Sequence, residues 1–142
     1  MSDDLDDDLF DDRPAEALDD HAPTTLFPNV YLFVRDHLVH VYERETSKQG
    51  SFRWCSRWFE HPEAVSRLEA LWKAFESLRQ DPGVGASSWW RDHADPVMGA
   101  LSSGQGVFRQ CSPGQHVLSD PLPMEEPPEG LLLSGSSVDT TR

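Results

Sequence analysis

Of the 25 acidic residues in this 142-residue chain, fifteen lie in its first 20 and last 24 positions, and this segregation limits where a fold can form. Residues 1–20 hold ten acids and one base, a net charge of −9, and residues 119–142 hold five acids and one base, net −4. The stretch between them balances ten acids with ten bases. Like charges as dense as those of the N-terminal run repel one another, and Leu5, Leu9, Phe10 and Leu18 offer too little apolar surface to offset chain entropy. The sequence therefore predicts an acidic disordered arm over residues 1–25 and a folded, electrically neutral domain over 26–118. A Pro-rich and then Ser/Thr/Gly-rich tail over 119–142 completes the expected organisation.

An arm of this kind either keeps the chain in solution or attracts a basic partner, and the expected partner is another protein, basic in character, meeting the arm. Leu9 and Phe10 could anchor such a contact. A secretory signal begins with positive charge, whereas this N-terminus is acidic, and no apolar run approaches the length that spans a bilayer. The expectation is a soluble cytoplasmic protein with no membrane partner. In that reducing compartment two cysteines serve as thiols or metal ligands rather than as a disulfide framework.

Within the domain the apolar period is helical, and the predicted fold class is mainly α: a small three-helix domain with irregular or short extended segments, flanked by disordered tails. Tyr31, Val34, Leu38 and Val41 recur at three- and four-residue steps and predict a helix over residues 29–45, with Asn29 as its cap. Residues 46–51 read as a loop. Residues 52–59 fit either a short strand or an irregular entry to the next helix. That second helix is predicted over 62–79. Pro62 stands at its first position, Ala64, Leu68, Leu71, Phe75 and Leu78 make its buried face, and Glu63 and Arg67 pair at the favourable spacing. Asp81-Pro82-Gly83 ends it. A third helix starts at Ser87 or Ser88 and meets Pro96, which either kinks it or opens a fresh helix capped by Asp95. Val107-Phe108 predicts a short extended piece, Ser112-Pro113-Gly114 a turn, and Leu131 to Leu133 a segment able to dock back.

Three short helices bury little surface, so a crosslink would help, although the five tryptophans each bury a large area. Candidate ligands for a metal staple are present in Cys55, His61, His93, Cys111 and His116. Zinc takes four Cys or His ligands in a tetrahedron, often in local pairs closed by a tight turn. Cys111-Ser-Pro-Gly-Gln-His116 supplies such a turn. A Cys2His2 site from Cys55, one of His61 or His93, Cys111 and His116 makes zinc the expected cofactor. The competing reading makes both cysteines small buried hydrophobes, with His61 capping the second helix and Arg91 pairing with Asp95. An enzyme reading needs Cys55 as thiol nucleophile, with His93 and Asp92 as base and orienter. A nucleic-acid reading uses Arg53, Trp54, Arg57 and Trp58 as a basic aromatic strip, but a neutral domain with acidic tails offers phosphate no long-range attraction.

The residues Trp54-Cys55-x-x-Trp58-Phe59-x-His61-x-Glu63-Ala64, Arg67-Leu68-x-Ala70-Leu71-Trp72, Trp90-Arg91-Asp92-His93-x-Asp95 and Phe108-x-x-Cys111-x-x-Gly114-x-His116 together resemble an actinobacterial group, the domain-of-unknown-function family DUF4913. The likeness runs from about Phe27 to Leu131. It implies a bacterial cytoplasmic protein carried by plasmids, integrative elements or phages, and brings no established activity. All five Cys and His candidates sit on positions of the family pattern. Relatives often have tryptophan at Phe59 and histidine near Pro96-Val97, so this chain departs from the pattern there. The expected function is a non-catalytic accessory or interaction module of a bacterial mobile element, stapled by zinc. The alternatives are a small metal-dependent or thiol enzyme and a nucleic-acid-associated regulator.

Overall fold

The fold follows from three helical segments and the way the last of them fastens the irregular chain around it. In the computed structural model, residues 24–46 and 50–131 are described. Residues 1–23 of the arm expected over 1–25, loop residues 47–49 and the docking of Leu132 and Leu133 lie outside them, while Leu131 is exposed. Helices account for the regular structure, and no strand occurs among the described residues.

Helix α1 (residues 30–41) starts where Asn29 accepts the Leu32 N–H on its side-chain oxygen at 2.9 Å, as its capping role predicts. It runs through α-helical Val30–Phe33, a π turn at Val34–Leu38 and a last turn at Val39–Val41. The helix ends four residues before the predicted position. Tyr42 leaves helical geometry at φ −102°, ψ 92°, and its hydroxyl donates to Asp95 at 3.0 Å while its ring stacks on Phe52 and Trp90. Those distant partners outweigh the local helical preference of residues 43–45.

Helix α2, Pro62–Leu78, matches its prediction to within one residue, with proline at its first turn and Glu63 and Arg67 paired at 2.8 Å. Ala64, Leu68 and Leu71 are buried on its inner face. The face also buries an acid. Glu76 accepts the backbone N–H groups of Leu26 at 2.7 Å and Phe27 at 2.8 Å, together with Trp72 Nε1 at 3.2 Å and Arg79 Nε at 2.9 Å. Burial pushes its carboxyl upward, but the hydrogen bonds prevail and hold it below the usual carboxylate range. Glu76 thereby fastens the chain entering α1 to α2.

Helix α3 (residues 85–102) consists of Gly85–Ser88, a π turn at Trp89–Ala94 and Asp95–Ser102. Its first residue is glycine because a Cβ there would stand 1.9 Å from the Leu78 carbonyl oxygen, which ends α2. Pro96 neither breaks the helix nor restarts it behind an Asp95 cap. The π turn ahead of it absorbs the missing N–H and the ring's clash with the preceding turn.

The carbonyls at the end of α3 hold both irregular segments. Val107 and Phe108 donate to Ala100 and Leu101 at 3.2 and 2.9 Å, and Arg53 donates to Ser102 at 2.8 Å. Residues 107–108 therefore form a turn rather than the predicted extended piece, because their N–H groups cap a helix and do not pair with a strand. Residues 52–57 are likewise irregular and lead into a 3₁₀ turn at Trp58–Glu60. The close approach at α3 requires Gly106, whose added Cβ would meet the Ala100 oxygen at 2.5 Å. No helix among the described residues is long and apolar enough to cross a membrane.

Candidate metal centre

Two segments converge because α3 has already fixed the backbone just ahead of each. Arg53 is tied two residues before Cys55, and Phe108 three residues before Cys111. The buried Phe108 ring sits between the segments, its edge contacts reaching Trp54 at 5.3 Å and His61 at 5.2 Å. His61 ends the 3₁₀ turn and its carbonyl begins α2 by accepting the Val65 N–H at 3.0 Å. Its ring makes no capping hydrogen bond and instead meets His116, with ring centroids 4.9 Å apart. On the other side Ser112 and Gln115 exchange two backbone hydrogen bonds at 3.0 and 2.8 Å around Pro113-Gly114. Gly114 takes φ +88°, as the predicted turn demands.

The result is a Cys2His2 cluster. The ligand atoms of Cys55, His61, Cys111 and His116 all lie within 4.8 Å of one another. Cys55 Sγ is 3.2 Å from His116 Nδ1, and Cys111 Sγ is 3.6 Å from His61 Nε2. Bonds of ~2.3 Å to sulfur and ~2.0 Å to nitrogen give a tetrahedral zinc sulfur–nitrogen edges of about 3.5 Å, so both separations suit a shared ion. Cys55, Cys111 and His61 are 1, 0 and 4% exposed, and both cysteines are free thiols.

The surroundings favour ligation. The Val117 N–H approaches Cys111 Sγ at 3.5 Å, and the Arg57 backbone N–H acts to lower the Cys55 thiol. Such amide donors offset thiolate charge. Without an ion, burial nevertheless pushes Cys55 up to about 11, and the neighbouring Cys111 adds to that rise. His61 is held below its ordinary value by burial and by His116, hence neutral at pH 7 and able to offer a lone pair. Glu60 Oε1 lies 3.1 Å from His116 Nε2, within ion-pair distance but off the line of a hydrogen bond. Glu60 also pairs with Arg57 at 3.3 Å. A carboxylate behind a ligating imidazole orients the ring and raises its basicity.

Four of the five predicted candidates thus come together, with His61 in the place for which His93 was the other choice. His93 is half-buried on the π turn of α3, outside the cluster. Its neighbour Asp92 is exposed and paired with Arg91 at 2.9 and 3.1 Å, so Arg91 does not take the predicted partner Asp95, which accepts from Tyr42. The imidazole beside Cys55 is that of His116. The Arg53-to-Trp58 strip does not present its tryptophans: Trp58 is buried and Trp54 packs on Phe108. The role of Glu60 was missed by sequence reasoning, and its only signal was its place immediately before His61.

A protein-family model described as Domain of unknown function (DUF4913) matches residues 27–128. Neither the curated proteins nor the solved structures give a match to this chain.

Proposed function

The chain belongs to the DUF4913 family, and from that premise we propose that it is a non-catalytic accessory or interaction module whose helical domain is stapled by one zinc ion on Cys55, His61, Cys111 and His116. One observation carries the reading: two buried thiols and two imidazoles, drawn from segments some fifty residues apart, place their ligand atoms around a single point. Four protein ligands complete a tetrahedron and leave no coordination position for substrate or water, which is the pattern of structural rather than catalytic zinc. The staple also sits where it is needed, on the irregular segments that lack helical hydrogen bonds of their own. A cytoplasmic setting would keep both thiols reduced. The assignment to a bacterial mobile element rests on the family resemblance, and a basic protein partner rests on the net charge of −9 over residues 1–20.

Chelation tests the structural role. Removal of zinc by a strong chelator should abolish cooperative melting, and readdition should restore it. A domain that binds zinc yet melts identically without it contradicts a staple.

Cys55, His116 and Glu60 also form a thiol–imidazole–carboxylate line that favours a second reading, a thiol enzyme. Reactive cysteines are partly exposed with a lowered pKa, whereas Cys55 is buried with a raised one. Rapid alkylation of Cys55 by iodoacetamide in the metal-loaded native protein would support the enzyme.

A further inference from the structure

Both π turns among the described residues open on one aromatic cleft far in character from the Cys/His corner. The cleft encloses about 410 Å³ between the end of α1, the end of α2 and the start of α3. His37 comes from the first π turn, Trp89 and Trp90 from the second, and Phe75 from α2. His37 packs on Phe75 at 4.7 Å between ring centroids, Trp89 lies 5.6 Å from the Phe75 ring, and Trp90 sets its plane at 75° to Trp89. A π turn is rarer and less well bonded than an α turn and recurs at functional sites. The turn in α3 has a local cause in Pro96. The turn in α1 has none, since no proline follows it. Its effect is to set His37 into the cleft.

The wall chemistry restricts the occupant. Arg79 and Asp81 stand at the rim, but their charges are already engaged. Arg79 donates to Glu76 and to the Thr24 carbonyl, while Asp81 accepts the Gly83 and Val84 N–H groups. Trp89 Nε1 donates to the Leu71 carbonyl at 3.3 Å. Among the described residues, the ring nitrogens of His37 and Nε1 of Trp90 have no hydrogen-bond partner. Burial, aided by His40, keeps His37 on the neutral side, where its ring offers one donor and one acceptor. Small-molecule sites of this size are mostly apolar with a few such polar groups that fix orientation.

We propose that this cleft binds a neutral, planar heteroaromatic small molecule, stacked against the aromatic walls and hydrogen-bonded at its edge by His37 and Trp90. The site is independent of the metal centre. Benzimidazole, which carries one N–H and one ring-nitrogen acceptor, is a suitable probe, and indane is a control of similar size without either. The full chain is titrated with each while the tryptophan indole N–H signals are followed by NMR. Benzimidazole should shift the Trp90 signal saturably with a Kd on the order of 1 mM, ordinary for so small a ligand. Indane should bind roughly tenfold more weakly, as should benzimidazole to His37→Leu. Ala86→Trp, which fills the cleft from an exposed helix position, should abolish the response without disturbing the core. Non-saturating shifts, equal binding of indane, or undiminished binding to Ala86→Trp overturns the proposal.

Discussion

The domain has two halves held by different forces. Around Phe33, Phe75 and Trp89, the helices meet through aromatic edges, with ring centroids 5.3 to 6.4 Å apart. Around Cys55 and Cys111 the chain is irregular, and thiols and imidazoles face inward beside Phe108 and Trp58. The first half is stabilised by surface removed from water. The second buries polar groups that are costly to leave without partners. The contrast teaches where the proposed ion would act: in the half whose segments lack helical hydrogen bonds and whose buried thiols and imidazoles need a partner.

Breaking the second half should have the larger effect. Cys111→Ala removes one ligand and should forfeit much of the ~10–16 kcal/mol that structural zinc contributes in zinc-finger peptides. Loss of cooperative thermal melting, followed by circular dichroism, is the expected result. Phe33→Ala attacks the other half. It should cost about 3–5 kcal/mol as a buried aromatic deletion, while the folded fraction retains its full zinc content. A fall in zinc per folded molecule in this variant would show that the halves are not separable.

Glu76→Gln sharpens the comparison, because it is a polar clamp within the apolar half. Its loss should cost about 2 kcal/mol in urea denaturation, the scale of hydrogen bonds to a charged group. The sign of its pH dependence follows from a folded pKa held below the unfolded value. The stabilisation is complete above the unfolded carboxylate range near ~4.3 and disappears as pH falls through the lower folded value. The variant should lack that acid-side loss. Glu60→Gln should weaken zinc affinity by roughly 10–100-fold, in keeping with loss of a carboxylate behind a ligating imidazole. Competition with a chromogenic chelator reads this directly. The same titration should show affinity rising with pH from 6 to 8, because zinc must displace the proton of a Cys55 thiol raised to about 11 in the metal-free protein.

Helix α2 was legible because its apolar period, its proline at the first turn and its Asp-Pro-Gly stop all agree. The early end of α1 was not, since Tyr42 answers to Asp95, 53 residues away. Glu76 was hidden for the same reason: two of its donors lie 49 and 50 residues upstream. The π turn of α1 was not legible either: of the predicted stripe Val34 and Leu38 are buried, but Tyr31 and Val41 are exposed and Phe33 takes the core position instead. The Cys/His set was visible as residue types near turns. The local spacing left His61 and His93 open as alternatives, and the structure separates them through a 3₁₀ turn and the packing of Phe108.

The central claim is a single zinc ion shared by the two irregular segments. Its most direct test is metal analysis of protein purified without chelator, joined to X-ray absorption at the zinc edge. The account predicts one equivalent of zinc with two sulfur ligands at ~2.3 Å and two nitrogen ligands at ~2.0 Å. Less than about a tenth of an equivalent, or a sulfur count other than two, contradicts it.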